Sequence, residues 1–74
     1  MQVGDKVLYH EDGGAAVCEL VKYERTNRDE NATLKILEVQ QQPFIGEYIV
    51  GEEFEVWHRV DMGGWGGDWR IEPQ

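Results

Sequence analysis

Apolar residues alternate with polar ones over short stretches of this chain, which is the period expected of β-strands. In residues 6–10, Val7 and Tyr9 share one face, and their neighbours fall on the other. Residues 11–14, EDGG, tolerate positive φ angles and predict a hairpin turn. Residues 15–24 alternate less regularly, which predicts a long strand that is bent or bulged.

The middle of the chain predicts a loop followed by an ambiguous segment. Residues 25–31, RTNRDEN, are polar and indicate the loop. Residues 32–42 are good helix formers, with a potential cap before them and a proline after them. A helix there would be poorly amphipathic, because Leu34 and Leu37 would lie opposite Ile36. A strand with both faces partly apolar is favoured, and the helix stays open as the alternative.

The last third of the chain predicts further strands separated by breaks that contain glycine. The elements are a turn at 43–47, strands at 48–50, 53–60 and 69–73, and a glycine-rich loop at 61–68. Within 53–60, Phe54 and Val56 fall on the face expected to point into the core, and Trp57 falls on the other. Pro73 fits a strand end or a sheet edge, since proline donates no backbone hydrogen bond.

Five or six short strands without a convincing helix predict a small all-β barrel, formed by residues 1–74 as a single domain. The alternation also predicts a set of residues that contribute to one core. They are Val7, Leu20, Ile36, Phe54, Val56 and Ile71.

A short motif occurs twice, as VGDKVLYH from Val3 and as VGEEFEVWH from Val50. Its glycines, Gly4 and Gly51, are expected to let the chain turn sharply into a strand. The acidic residue after each glycine is then expected at an exposed turn position. Because the second copy is one residue longer, chance similarity of two strand entries is the simpler explanation of the repeat.

VGDKVLYH at the start, a β-meander, and WRIEP at the end resemble the layout of SH3-like small barrels, Tudor and agenet modules among them. The resemblance spans nearly the whole chain. It implies a recognition module that uses aromatic residues at one end of the barrel. No cage residue of that family is carried over, because the matching positions are not defined by these motifs.

The cysteine and histidine counts limit how the fold is stabilised. Cys18 is the only cysteine and there are two histidines, so neither an intramolecular disulfide nor a four-ligand zinc site is expected, and no cofactor is expected. No apolar run reaches the roughly 18 residues of a membrane span, and the start lacks the features of a signal peptide. These observations favour a cytoplasmic protein.

The charge balance constrains the partner. Fifteen Asp and Glu against seven Lys and Arg give a formal net charge of −8. Direct binding of nucleic acid is disfavoured, because such binding depends on neutralising phosphates. A cationic partner suits the excess, and the same excess keeps a small protein soluble.

No arrangement of reactive residues predicts an enzyme. His10, Glu11 and Asp12 are contiguous, and in an extended segment neighbours point to opposite faces. Cys18 lies among apolar residues, where a buried inert thiol is normal. Metal binding by His10, Asp12 and His58 is equally poorly supported.

The segment GGWGG, residues 63–67, is the most unusual local feature. It lacks the lysine and the following helix of a phosphate-binding loop. Trp65 is therefore expected to be either an exposed anchor for a partner or a cover for an open end of the barrel. Trp57 has the same two interpretations.

Two functional hypotheses follow. The first is a non-enzymatic binding module for a basic protein or peptide, with Tyr9, Trp57 and Trp65 as aromatic contacts and Asp61 and Asp68 as flanking acids. The second is an acidic inhibitor or accessory protein that mimics nucleic acid and occupies a basic groove of another protein.

Overall fold

The computed structural model describes residues 2–60 and 71–73 as a single five-stranded antiparallel sheet in the order β4-β3-β2-β1-β5. The strands are β1 (Lys6–Glu11), β2 (Gly14–Arg25), β3 (Asp29–Gln41), β4 (Glu53–Arg59) and β5 (Ile71–Pro73). The described residues contain no α-helix, which confirms the all-β prediction. The ambiguous segment 32–42 is a strand over nearly its whole length, inside β3.

The β1–β2 hairpin closes through a tight two-residue turn at Asp12 and Gly13. Both residues have positive φ angles, 50° and 81°, and Glu11 pairs directly with Gly14. This combination is typical of a type I′ turn, whose twist matches that of the flanking strands. The predicted hairpin at EDGG is therefore confirmed.

A bulge in β2 moves Tyr23 to the core face. Leu20 pairs with Leu34, and the next paired residues are Lys22 and Thr33, so Val21 is an extra residue on its strand. Simple alternation places Tyr23 opposite Leu20, but the bulge reverses the alternation and Tyr23 packs against the core. The prediction of a bulged strand is confirmed, and after Val21 the two faces are the reverse of those that simple alternation gives.

The loop predicted at 25–31 is shorter in the structure, since β3 already begins at Asp29. The Thr26 hydroxyl oxygen accepts the backbone N–H groups of Arg28 and Asp29 at 3.1 and 3.0 Å. The Thr26 side chain thus satisfies two backbone N–H groups within the turn, so β2 and β3 can continue almost to the turn. Glu30 is buried despite its charge, and its carboxylate accepts the hydroxyl of Tyr23 at 2.7 Å.

The prediction of a strand at 48–50 is wrong, because these residues belong to an irregular segment between β3 and β4. The side chain of Gln42 makes the hydrogen bonds to Tyr48 that a neighbouring strand would otherwise make. Its Oε1 accepts the backbone N–H of Tyr48 at 2.7 Å, and its Nε2 donates to the Tyr48 carbonyl at 2.9 Å. With both backbone groups satisfied by one amide, the segment needs no strand pairing.

The sheet is strongly curled. β1 and β4 are separated by two strands, which in a flat sheet would place them about 14 Å apart at about 4.8 Å per neighbour. The rings of Tyr9 on β1 and Phe54 on β4 nevertheless meet edge to face, with centroids 4.9 Å apart. The concave side therefore packs against itself as the core, while pairing among the described residues leaves β4 and β5 as the two ends of the sheet.

The predicted core residues all contribute to this concave side. Val7, Leu20, Ile36 and Ile71 are buried, and Phe54 and Val56 are partly buried and pack against them. Of the closing strand predicted at 69–73, Ile71–Pro73 is observed as β5, and residues 69–70 lie outside the described residues. Pro73 lies on this outermost strand, as expected for a proline.

The first copy of the Val-Gly-acid motif forms a turn that leads into β1. Gly4 has a φ of 96°, and the N–H of Asp5 donates to the carbonyl of Gln2 at 3.0 Å, which is the arrangement of a type II turn. The turn docks on β2 through two bonds to one residue. Leu20 accepts from Gly4 at 2.7 Å and donates to Asp5 at 2.8 Å.

The second copy repeats this arrangement in front of β4. Gly51 has a φ of 94°, and the N–H of Glu52 donates to the carbonyl of Ile49 at 3.1 Å. Here Ile36 of β3 is the docking residue, accepting from Gly51 at 2.8 Å and donating to Glu52 at 2.9 Å. The sequence repeat therefore encodes one structural unit used twice, a glycine turn that starts a strand against one of the two central strands.

Replacing either glycine with alanine should cost about 1–2 kcal/mol of unfolding free energy, and the two costs should be similar. A Cβ at Gly4 or Gly51 would meet no atom within 4 Å, so the penalty comes from the positive φ alone. Urea unfolding of Gly4→Ala and Gly51→Ala measures it. Gly4→Asn and Gly51→Asn are the matched controls and should cost less, because asparagine tolerates positive φ better. A negligible cost at either position would contradict the turn geometry.

Candidate functional site

The structure separates two of the aromatic residues predicted to bind a partner, Tyr9 and Trp57. Trp57 is 58% exposed on β4, as a surface contact requires. Tyr9 is only 2% exposed, and its hydroxyl donates to the carboxylate of Glu11. The prediction of Tyr9 as a surface contact is therefore corrected, because this ring is used in the core. The other three predicted contacts lie outside the described residues: Asp61, Trp65 and Asp68.

The register of the repeated motif explains this separation. The two turns align glycine with glycine, so Val7 and Phe54 are equivalent first core residues. Tyr9 then matches Val56 and points inward. Trp57, which comes one residue later because the second motif is longer, points outward. A shift of one residue moves a side chain to the other face of a strand, and here it turns an aromatic of the core into an aromatic of the surface.

Trp57 lies in a group of six residues on the outer surface of three adjacent strands, called here the Trp57 face. It consists of Lys22 and Glu24 on β2, Asn31 and Thr33 on β3, and Glu55 and Trp57 on β4. Asn31 pairs with Trp57 on one side and with Glu24 on the other, so these residues form one row across the sheet. Thr33 connects Glu55 and Lys22 in the same way and forms a second row.

The Trp57 face surrounds an open concavity of about 320 Å³, which Ala32 and Val56 also line. That volume is at the lower end of the range of ligand pockets. Two acidic residues, Glu24 and Glu55, and one basic residue, Lys22, line it, which leaves one net negative charge. An exposed indole ring beside carboxylates is an arrangement that attracts cations.

Sequence reasoning found Trp57 but missed the residues across from it. The polar neighbours of Asn31 predict a loop there, and Glu24 falls opposite Asn31 only because of the bulge at Val21. The alternation of Glu30, Ala32 and Leu34 carries a signal that β3 starts early, since these residues share the buried face.

Within residues 2–60 and 71–73, Cys18 and His10 do not form a common site. Cys18 is fully buried on the core face, paired with Val7, and its thiol contacts the Ala16 carbonyl at 3.7 Å. His10 lies on the opposite face of β1, where its Nε2 is 3.5 Å from the carboxylate of Glu72. Burial raises the pKa of the Cys18 thiol to about 11, so few thiolates form at neutral pH.

Residues 2–60 and 71–73 contain no group of three or more His, Cys, Asp or Glu side chains arranged to hold a metal ion. No helix in these ranges is long and apolar enough to cross a membrane.

Comparisons with known proteins identify no relative: no family model, no curated protein and no solved structure matches this chain.

Because the Cys18 thiol is buried, the free energy of unfolding should decrease at alkaline pH. The folded chain keeps Cys18 protonated while the unfolded chain, with an ordinary thiol pKa of 9.0, releases the proton, so unfolding free energy should fall between pH 9.0 and about 11. Cys18→Ala should remove part of this fall in urea melts. Tyr23 and Tyr48, whose pKa values burial also raises, should contribute to the remainder. A thiol reagent at pH 8.0 should modify Cys18 far faster in urea than in the native protein, and equal rates would contradict the burial.

Proposed function

We propose that this protein is a non-enzymatic binding module that recognises a cationic side chain of a basic protein or peptide on the Trp57 face. The observation that carries this proposal is an exposed indole beside two carboxylates at an open concavity of about 320 Å³. A guanidinium or ammonium group over the ring of Trp57 would gain about 0.5–2 kcal/mol from the ring alone.

The position of the carboxylates supports a cationic ligand. Glu55 lies two residues before Trp57 and therefore on the same face, while Glu24 lies beyond Asn31 in the row of Trp57. A cation above the indole could thus be approached by a carboxylate from two directions. Lys22 borders the same concavity and favours a ligand that also carries an acceptor, such as a peptide carbonyl.

The rigidity of the three strands supports binding by a preformed site. The members of the Trp57 face stand on paired strands, so their spacing is fixed by backbone hydrogen bonds before a ligand arrives. The net charge of −8 adds long-range attraction for a basic partner.

We extend the proposal to the fold family and the location. Four strands in meander order, with β5 returned beside β1, support the resemblance to SH3-like barrels that the sequence motifs suggest. The cytoplasmic location favoured by the sequence is likewise part of the proposal.

The test is a titration of the ¹⁵N-labelled protein with a short glycine-rich peptide that contains arginine, monitored at the indole N–H of Trp57. The same peptide with citrulline, which has nearly the same shape and no charge, is the control ligand. The arginine peptide should shift the Trp57 signal saturably, and the citrulline peptide should not. Trp57→Ala should weaken binding, followed by the backbone amides, by about 2- to 30-fold.

Two charge variants separate local recognition from the field of the whole protein. Glu55→Gln should weaken binding, while Glu38→Gln, an exposed acid that does not border the concavity, should leave it nearly unchanged. Equal effects of the two variants, a steep loss with salt and no effect of Trp57→Ala would overturn the proposal and favour the nucleic-acid mimic instead.

A further inference from the structure

A second surface, separate from the Trp57 face, lies on the segment that connects β3 to β4. Within residues 43–50, called here the 43–50 loop, four large apolar side chains are exposed. They are Phe44 at 86%, Ile45 at 76%, Val50 at 62% and Ile49 at 46%. So many exposed apolar side chains on one short segment are uncommon on a small soluble domain and are typical of an interaction site.

The backbone of the 43–50 loop is held in place although its side chains are not buried. The amide of Gln42 fixes Tyr48 through two hydrogen bonds of 2.7 and 2.9 Å. The N–H of Phe44 donates to the carbonyl of Asp12 at 2.9 Å, and the hydroxyl of Tyr48 donates to the carbonyl of Glu11 at 3.3 Å. The ring of Tyr48 also meets that of Tyr9 edge to face, at 6.3 Å between centroids.

The hairpin turn between β1 and β2 has glycines where the 43–50 loop packs closely against it. A Cβ on Gly13 would lie 2.5 Å from the ring of Phe44, and one on Gly14 would lie 2.8 Å from the backbone nitrogen of Pro43. Only glycine permits this approach without displacement. The loop is therefore ordered against the turn, and its apolar side chains are presented outward on a fixed backbone, which lowers the entropy cost of binding.

The charges around the 43–50 loop define the partner. Residues 38–53 contain four glutamates and no lysine or arginine, and one of the four, Glu53, pairs with Lys35 of β3. The hairpin turn on which the loop rests adds Glu11 and Asp12. A second copy of this chain would bring acidic surroundings against acidic surroundings, each copy with a formal charge of −8, so self-association is opposed.

We propose that the 43–50 loop is a docking surface for a basic segment of a partner protein. Apolar side chains of that segment cover Phe44, Ile45 and Val50, and its lysines or arginines face the surrounding carboxylates. This surface does not depend on the Trp57 face, and its occupant differs in chemistry, since it supplies apolar contact area as well as charge.

Three synthetic peptides of equal length separate the apolar and the charged contributions. One contains leucine and lysine, the second serine and lysine, and the third leucine and glutamate. Titrated into the ¹⁵N-labelled protein, the leucine–lysine peptide should shift the amides of residues 44–50 saturably. The other two should bind about tenfold more weakly or worse, because each lacks one of the two contributions.

Ile45→Ser and Val50→Ser should each weaken binding of the leucine–lysine peptide by about fivefold or more. Both replace exposed side chains, so the dispersion of the amide spectrum should be unchanged. Val3→Ser is the matched control, since Val3 holds the equivalent exposed position in the first glycine turn and lies outside the 43–50 loop, and it should change the affinity by less than about twofold.

Several results would overturn this assignment. If the serine–lysine peptide bound equally well, charge attraction alone would explain the binding. If the leucine–glutamate peptide bound equally well, the partner would not need to be basic. Shifts centred on the Trp57 face would place the ligand elsewhere. A dimer in sedimentation equilibrium that Ile45→Ser dissociates would make the occupant a second copy of this chain.

Discussion

The edge-to-face contact between Tyr9 and Phe54 joins two strands that are not neighbours in the sheet. Its rings can meet only because β2 and β3 are long, antiparallel and bulged, which lets the sheet curl until its first and fourth strands face each other. That curl lets a single sheet pack its concave face against itself as the core. The same Tyr9 ring then supports Tyr48 and, through it, the loop between β3 and β4.

Two surfaces of different chemistry follow from this arrangement. The outer face of the sheet carries Trp57, because the alternation that sends Phe54 and Val56 inward sends the indole outward. The ordered loop carries Phe44 and Ile45 outward, because its backbone is satisfied by Gln42 and by the hairpin turn. In both places a paired or hydrogen-bonded backbone presents large apolar groups on an acidic chain, and the two proposed binding surfaces rest on this arrangement.

Rules that use only neighbouring residues in the sequence were sufficient to predict much of the fold. Alternation identified the strands and the core, and positive-φ chemistry identified the turns at Gly4 and Gly51. The errors arose where a non-local or side-chain bond replaced the local rule. The bulge at Val21 depends on pairing with β3, and the amide of Gln42 removed a predicted strand. The outer-face neighbours of Trp57 depend on that same register, so sequence alone supplied the indole without its surroundings.

The most direct test of the central claim is a measurement of contacts between aromatic rings in solution. Isotope-edited nuclear Overhauser spectra should show strong contacts between the ring protons of Tyr9 and Phe54, whose centroids lie 4.9 Å apart. They should show none between Tyr9 and Trp57, which occupy opposite faces of the sheet. Contacts between Tyr9 and Trp57 without any between Tyr9 and Phe54 would mean that β4 pairs in the other register, and would contradict both the curl and the exposed indole.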